Sequence, residues 1–238
     1  MEPLRTGRHI ARLAVTPGDV AAAQALRHLC FFGKAGCDAD DLDPLCLHVL
    51  VEEVATGLPV CCYRLLSTDG AGLEASYAAG FYDLSRLRGF PGPMLELGRF
   101  CIRPGPPDPD ILRLAWAAMT RIVDAEGVAM IFGCASFASC DPELHRAAFA
   151  RLAAAHLAPE CWRPGRRAPE VVALCSAKAP PDAQAAMPPL LRTYLAMGGW
   201  VSDHAVVDRR MNTLHVFTAV EVAAIPPARV RALRLLAQ

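Results

Sequence analysis

The sequence predicts an α/β or α+β fold in a single domain over residues 1–238, and three observations support this prediction. Hydrophobic residues make up 53% of the chain and charged residues 20%, which excludes disorder as the main state. Apolar and β-branched runs typical of strands alternate irregularly with segments of helical periodicity. No internal repeat and no low-complexity block is visible, so one core of ordinary size is expected.

The first third of the chain is predicted to contain three strands and one helix: strands at Ile10–Val15, Leu47–Glu53 and Val60–Leu66, and a helix that starts at Thr16–Asp19 and extends to Cys30. Pro17 stands in the first helical turn, where its missing N–H loses no partner. Lys34–Pro44 is acidic and rich in turn residues, which indicates a loop. Thr56-Gly57 is a hairpin signal between the second and third strands.

The rest of the chain is predicted to alternate between helices and strands: helices at Gly80–Leu87, Asp110–Glu126, Asp141–His156, Leu190–Met197 and Pro226–Leu236, and strands at Met94–Ile102, Val128–Cys134, Val171–Ser176, Trp200–Val207 and Thr213–Val220. Gly127 ends the second of these helices. Two loops are expected, at Pro159–Pro169 and at Ala179–Pro189.

Charge and cysteine content narrow the class of protein. The 24 basic and 24 acidic residues cancel, so a nucleic-acid partner is not expected. The ten cysteines show no C-x-x-C and no zinc-type spacing, which favours reduced thiols in a cytoplasmic protein and no metal site. No secretory signal is visible. Gly127–Cys140, the longest uncharged stretch, is shorter than the ~20 residues that a spanning helix needs.

Common catalytic motifs are absent, including G-x-x-x-x-G-K-[ST], G-x-G-x-x-G, H-E-x-x-H and G-x-S-x-G. A set of charged residues is more informative: Arg27 four residues before Phe31 on a helix, Asp40 and Asp43 in the acidic loop, Arg64 in one strand, and Glu96 and Arg99 in another. Glu96 and Arg99 point to opposite faces of a regular strand, and a bulge at Gly98 would bring them to one side.

This order of residues resembles a known class of enzyme. The order R-x-x-x-F, D-x-x-D, Y-R-L-L and E-x-x-R-F is similar to that of the acyl-homoserine-lactone synthases, which are GNAT-type acyltransferases supplied by acyl carrier protein. Further segments are similar to the L-ornithine Nα-acyltransferases: Glu96–Cys101 (E-L-G-R-F-C), Phe132–Phe137 (F-G-C-A-S-F), Pro188–Leu195, Ala205–Asp208 and Asn212–Phe217. The resemblance extends from about Ala11 to Val220. It implies a GNAT-type fold with a central mixed, twisted sheet flanked by helices.

The sequence departs from this family mostly in its C-terminal third. The family usually has Lys-Gly where Arg192-Thr193 stands, Gly-Asp-Gly where Ser202-Asp203-His204 stands, and Thr-Asp where Leu214-His215 stands. Leu47 also replaces a usual Asp. These departures leave the acceptor amino acid open.

The resemblance implies transfer of a 3-hydroxyacyl chain from acyl carrier protein to the α-amine of ornithine, as in lyso-ornithine lipid synthesis. Glu96 is the candidate base, and binding of the cationic amine is its alternative role. The backbone N–H groups of Phe100 and Cys101 would polarise the thioester carbonyl. Arg64 and Arg99 would hold the acceptor carboxylate, or pair with Asp40, Asp43 or Glu96.

Arg27 is expected to fix the acidic loop over the site, where Asp40 and Asp43 lie. No cofactor is expected beyond the phosphopantetheine of the carrier protein. The prolines in Arg103–Asp108 remove N–H groups that would bind the pyrophosphate of coenzyme A. Arg163, Arg166 and Arg167 either dock an acidic carrier or form a solvated loop.

Three alternatives remain at this stage. One is the same chemistry on glutamine, lysine or glycine, and another is an acyl-homoserine-lactone synthase. The third is an inactive GNAT-like module that binds carrier protein, which the retained Glu96, Arg99 and Arg64 argue against. Because the product would be an amphiphile, peripheral contact with the inner membrane is also expected, with Ala228–Leu236 as the candidate segment.

Overall fold

The structure is a computed structural model that describes residues 1–175 and 186–237. Its residues form two compact units. Unit 1 comprises Met1–Ser67, Leu97–Val128 and the residues from Pro227 onward, and unit 2 comprises Thr68–Glu96 and Ala129–Pro226. The expectation of one domain over residues 1–238 stays a prediction.

Unit 1 is built from antiparallel strands and three helices: β1 (Leu4–Thr6), β2 (His9–Leu13), α1 (Pro17–Phe32), β3 (Leu47–Glu53), β4 (Pro59–Thr68), α2 (Pro109–Glu126) and α5 (Pro227–Leu236). The strands pair in the order β1-β2-β3-β4. β6 (Met94–Ile102) contributes its second part, from Leu97, to this unit. The short β1 has no counterpart among the predicted elements, because three residues carry too little periodicity.

Helix α1 begins and ends as its sequence predicts. The Thr16 side chain accepts a hydrogen bond from Asp19 N, and the Asp19 carboxylate accepts one from Thr16 N, which is a capping box. The helix ends at Gly33, whose φ of 68° lies in the left-handed region that glycine adopts without strain. Ala23 and Leu26 pack against the strands, and this packing fixes the direction in which Arg27 points.

Unit 2 contains the remaining elements: β5 (Tyr82–Asp83), the first part of β6, β7 (Met130–Ala138), α3 (Arg146–Ala155), β8 (Gly165–Arg166), β9 (Val171–Ala173), α4 (Pro189–Ala196), β10 (Trp200–Asp208) and β11 (Thr213–Glu221). Strands β7, β11, β10 and β9 follow one another in this order and are antiparallel. The predicted fold class, α/β with a mixed sheet flanked by helices, is confirmed.

Two hydrophobic clusters form in unit 2. The first, here called the aromatic cluster, contains Tyr82, Phe132, Trp200 and Phe217 with smaller apolar residues. The second contains Phe137, Phe149 and aliphatic residues of α4, β10 and β11. Because side chains alternate along a strand, neighbouring residues of β11 enter different clusters, as Val216 and Phe217 do.

Some predicted elements differ from the structure. The helix predicted at Gly80–Leu87 is wrong: this stretch forms β5 between two short 3-10 turns. Tyr82 pairs with Arg166 of β8, and this long-range pairing overrides the local pattern. The helix predicted from Asp141 begins as a 3-10 turn before α3. Most of the loop predicted at Ala179–Pro189 lies outside the described residues.

Across residues 1–175 and 186–237, no helix combines the length and the apolar character that crossing a bilayer requires.

Candidate active site

Arg27 binds the acidic loop from inside unit 1. Its side chain is 1% exposed. The guanidinium donates two hydrogen bonds of 2.8 Å to the Asp43 carboxylate and one of 3.0 Å to Asp38 Oδ2. It also donates to the backbone carbonyl of Asp38. Arg27 therefore fixes the acidic loop within unit 1, and its place beside a substrate site stays a prediction.

Arg64 and Arg99 bind the same loop from strands β4 and β6. Arg64 donates to Asp43 Oδ1 at 2.7 Å and to both carboxylate oxygens of Asp40, of which Oδ2 lies at 2.9 Å. Arg99 Nη2 lies 3.2 Å from Asp40 Oδ2, and Arg99 Nε lies 3.0 Å from Asp38 Oδ2. These guanidinium groups therefore share their carboxylate partners.

Six residues form what is here called the Arg–Asp cluster: Arg27, Asp38, Asp40, Asp43, Arg64 and Arg99. Three positive and three negative charges cancel within it, which is the condition for burying ions together. Asp38 was not among the predicted site residues. Its spacing to Asp40 gave no motif of its own, although it lies in the same acidic run.

Ion pairing sets the charge of the loop carboxylates. Burial by itself would raise the pKa of Asp43, but hydrogen bonds from Arg27, Gln24 and Arg64 hold it well below its usual range. The pKa of Asp40 is likewise lowered against burial, mainly by Arg64. Both side chains are therefore anionic at neutral pH. A substrate carboxylate held by Arg64 and Arg99, as predicted, would have to displace Asp40, whose side chain is 29% exposed.

The irregularity predicted in β6 falls at Arg99 and not at Gly98. Arg99 has a φ of 54°, in the left-handed region that non-glycine residues rarely adopt. A side chain at Gly98 would only touch Arg64, at 3.5 Å from its Nε. The strained backbone of Arg99 is offset by its ion pairs and by the Phe31 ring, whose centroid lies 6.0 Å from the guanidinium carbon.

Glu96 lies in the part of β6 that belongs to unit 2 and is 4% exposed. Its two carboxylate oxygens accept hydrogen bonds from the backbone N–H groups of Tyr77, at 2.9 Å, and Ala78, at 2.7 Å. Charge-assisted hydrogen bonds of this kind fix the carboxylate in one orientation. The sequence offered no sign of these partners, because they are main-chain groups almost twenty residues earlier in the chain.

Tyr194 of α4 lies within electrostatic reach of Glu96 and was not a predicted site residue. Burial first, and the negative charge of Glu96 second, raise the pKa of the Tyr194 hydroxyl. The tyrosine is therefore neutral at physiological pH. In the sequence, Tyr194 belongs to the segment Pro188–Leu195 that resembles the family, and no other pattern marks it.

Phe100 and Cys101 follow Arg99 in β6. The Phe100 ring stacks on Tyr63, with ring centroids 5.5 Å apart. Cys101 is 6% exposed, and its sulfur lies 3.5 Å from that of Cys62. A hydrogen bond with Cys30 acts to lower the pKa of the Cys101 thiol, but contact with Cys62 and burial together raise it. The role of the two backbone N–H groups at the thioester stays a prediction.

We expect the Cys101→Ala variant to keep acyl transfer within about threefold, since a buried thiol with a raised pKa is a poor nucleophile. Intact-mass measurement after mixing the wild-type protein with an acyl thioester should show no covalent acyl group. The exposed Cys37 provides the control, as Cys37→Ala leaves the core untouched. An acyl mass that disappears in the Cys101 variant would contradict this expectation.

Three arginines surround a polar cavity of about 290 Å³ in unit 2. They are Arg86, Arg163 and Arg166, and the cavity is also lined by Asp83, Glu160 and Asp203. In the described part of the chain none of these arginines forms an ion pair with a carboxylate. Arg167 does not join them, because it binds Glu74 and the carbonyl of Ala79.

Among the described residues, no group of three or more His, Cys, Asp or Glu could hold a metal ion.

Comparison with known proteins identifies relatives along nearly the whole chain. A family model described as an acetyltransferase (GNAT) domain matches residues 27–117. The L-ornithine N(alpha)-acyltransferase of Rhodobacter capsulatus is 35% identical over 90% of this chain and 90% of its own length. That of Brucella abortus is 30% identical over 93% of this chain and 87% of its own length. The structure of FeeM, an N-acyl amino acid synthase from uncultured soil microbes, superposes with a TM-score of 0.53 at 14% identity, covers 98% of both chains, and supports the fold.

Proposed function

Because the chain belongs to the L-ornithine N(alpha)-acyltransferase family and is an N-acyltransferase with a GNAT-type fold, we propose that it transfers a 3-hydroxyacyl chain from acyl carrier protein to the α-amine of ornithine. The observation that supports this most directly is the Glu96 carboxylate, which is buried and held by two backbone N–H groups. No cofactor beyond the phosphopantetheine arm of the carrier is required.

The reaction is aminolysis of a thioester. The neutral α-amine attacks the carbonyl carbon, the new C–N bond forms, and the C–S bond breaks to release the phosphopantetheine thiol. An α-amine has a pKa of about 8, so part of it is already neutral at pH 7. Glu96 either accepts the proton that the amine loses or binds the ammonium before attack. Both roles require a carboxylate whose orientation is fixed.

In this proposal the Arg–Asp cluster organises the acidic loop of unit 1 and takes no part in bond making. Its internal ion pairs hold the acidic loop onto α1 and β4. In this proposal Arg64 and Arg99 hold the acceptor carboxylate, which takes the place of Asp40. Asp40 is the most exposed carboxylate of the cluster.

Mass spectrometry provides the test of the proposed reaction. Purified protein is mixed with 3-hydroxyacyl carrier protein and ornithine, and the acyl-ornithine mass is expected. Parallel reactions with glutamine, lysine and glycine identify the acceptor, and a reaction with S-adenosylmethionine tests the homoserine-lactone alternative. Acylation of another amino acid alone would disprove the ornithine assignment, and absence of all products would disprove the activity.

Carrier protein is proposed to dock at the cavity lined by Arg86, Arg163 and Arg166. These guanidinium groups lack carboxylate partners in the described structure, and carrier proteins present acidic helices. We expect the Arg163→Glu/Arg166→Glu double variant to raise KM for the acyl carrier at least about tenfold, through the loss of charge complementarity. The effect should shrink at high salt, because exposed charges are screened.

A matched double variant controls for the change in net charge. Arg229→Glu/Arg231→Glu replaces two exposed arginines of α5 and changes the net charge by the same amount, and its KM for the carrier should stay near the wild-type value. Equal increases in both double variants would show a general charge effect and would contradict docking at the cavity.

Contact with the membrane surface remains part of the proposal, because the product is an amphiphile.

A further inference from the structure

Helix α1 of unit 1 forms one wall of an apolar groove, here called the α1 groove, with a volume of about 400 Å³. Four residues on one face of the helix line it: Ala22, Ala25, Leu26 and Leu29. Every described residue that lines the groove is apolar except Arg103. Ligand pockets usually have volumes of about 300–1,000 Å³ and apolar walls with a few polar groups, so the groove has the size and character of a site for one small ligand.

The loop after α1 forms a second wall, and contacts with the helix fix its position. Ala35 and Gly36 of this loop line the groove. The Lys34 carbonyl accepts a hydrogen bond from His28 Nδ1 at 3.0 Å. A Cβ atom at Gly36 would overlap the same imidazole, so glycine is the residue that lets the loop approach the helix this closely. The α1 groove is therefore a defined cavity whose two walls are held together.

Arg103, which directly follows β6, supplies the charge of the groove. Its Nε donates to the Pro59 carbonyl at 2.9 Å, and its backbone N donates to the Val60 carbonyl at 2.8 Å. These two bonds hold the residue against the start of β4. In the described part of the chain no carboxylate pairs with Arg103, unlike the arginines of the Arg–Asp cluster. Its two Nη groups can therefore donate in parallel to an oxyanion.

The lining of the groove determines which ligand fits. Apolar walls favour an alkyl chain, and the exposed Leu58 and Ile102, next in sequence to Pro59 and Arg103, add apolar surface beside them. One guanidinium balances one negative charge, and its planar fork matches a carboxylate. Because no carboxylate lines the groove among the described residues, an ammonium group would find no partner there. The volume, near the lower end of the usual range, suits one chain and not the two chains of a phospholipid.

We propose that the α1 groove binds a free fatty acid anion, with the alkyl chain along α1 and the carboxylate on the Nη groups of Arg103. The groove is lined by residues of unit 1 and by none of the residues assigned to acyl transfer, so the proposal does not rest on the proposed function. An N-acyl-ornithine fits less well, since its side-chain ammonium would lack a carboxylate partner in the groove.

Titration calorimetry on the purified full-length chain tests the proposal with octanoate, decanoate and dodecanoate, each kept below the concentration at which micelles form. The affinity should rise up to about fourfold for each CH₂ that enters the groove, the usual effect of burying such a group. Dodecanol should bind at least about tenfold more weakly than dodecanoate, because it offers no charge to the guanidinium. Absence of dodecanoate binding, or equal binding of the alcohol and the carboxylate, would overturn the proposal.

Two matched pairs of variants locate the site. Arg103→Gln should weaken dodecanoate binding at least about tenfold, whereas Arg113→Gln changes an exposed arginine of α2 outside the groove and should leave binding unchanged. Ala25→Glu places a negative charge in the groove and should abolish binding, whereas Ala232→Glu changes an exposed alanine of α5 and should not. Because Ala25 is exposed, its variant tests the site even if Arg103→Gln fails to fold. Equal effects within either pair would overturn the assignment to the groove.

The same titrations identify the headgroup and its source. Dodecanoate should bind more tightly than N-dodecanoyl-ornithine and than dodecyl phosphate. Tighter binding of the acyl-ornithine would assign the groove to the reaction product, and tighter binding of the phosphate would assign it to a phosphate-headed lipid, so either result overturns the fatty acid assignment. Hydrogen exchange in residues 33–36 should slow when dodecanoate is bound, and unchanged exchange there would overturn the location. None of these measurements requires turnover, so they are independent of ornithine acylation.

Discussion

The Glu96→Gln variant is expected to have a kcat/KM for ornithine acylation about 10²–10⁴-fold below that of the wild type. This factor is the usual contribution of a general base. Glutamine keeps the shape of the side chain but removes its charge. Its amide NH₂ would also face one of the two backbone N–H groups that now donate to Glu96, so the side chain could no longer hold the same orientation. The measurement is acyl-ornithine formation at several ornithine concentrations.

The kinetic pattern separates the two roles of Glu96. A base removed from the site lowers kcat, whereas a lost amine-binding group raises KM for ornithine. Glu74→Gln is the control, because Glu74 is an exposed carboxylate of unit 2 that pairs with Arg88 and Arg167. Its turnover should stay within about twofold of wild type. A Glu96 variant that retained turnover within about threefold would show that the carboxylate does not act on the amine.

The largest effect on stability is expected from Asp43→Asn. Removing this charge leaves the buried guanidinium groups of Arg27 and Arg64 with too few anionic partners, which typically costs about 3–5 kcal/mol. Urea unfolding of the purified protein measures the change. Arg234→Met is the control, since Arg234 and Asp124 form an exposed, solvent-screened pair, and its free energy of unfolding should stay near the wild-type value.

The same variant should change the response to acid. The folded protein holds the pKa values of Asp40 and Asp43 below their ordinary values, so the unfolded state binds protons first as the pH falls. The stabilisation is fully present above pH ~4 and is lost progressively below it. Asp43→Asn should flatten this acid dependence. If Asp43→Asn and the wild type lost stability equally as the pH falls below ~4, the Arg–Asp cluster would not be the cause of that loss.

The sequence predicts regular elements and the charged residues of the cluster well, for a physical reason. Helix α1 has local signals at both ends, and β6 was predicted with its observed limits, Met94–Ile102. Arg27, Asp40, Asp43 and Arg64 were singled out in the sequence and supported a family resemblance, and the structure brings them together. Local sequence patterns do not reveal which group each of these charged side chains binds.

The partners of other groups arise from contacts that are distant in sequence. Glu96 receives its hydrogen bonds from a turn that follows β4, and Tyr82 reaches His215 across 133 positions of sequence. Sequence periodicity carries no information on such pairs. The left-handed conformation at Arg99 was also missed, because a glycine stands one residue earlier and is the usual residue for that geometry.

The sharing of carboxylates in the Arg–Asp cluster has a consequence for the evolution of the family. Asp38 serves Arg27 and Arg99, Asp40 serves Arg64 and Arg99, and Asp43 serves Arg27 and Arg64. Each charge thus stabilises two others, so the effects of substitutions here are strongly non-additive. We therefore expect a single replacement to destabilise the cluster more than a compensated pair of replacements does. Natural variants should therefore change these positions together, as an epistatic unit, and isolated changes should be rare.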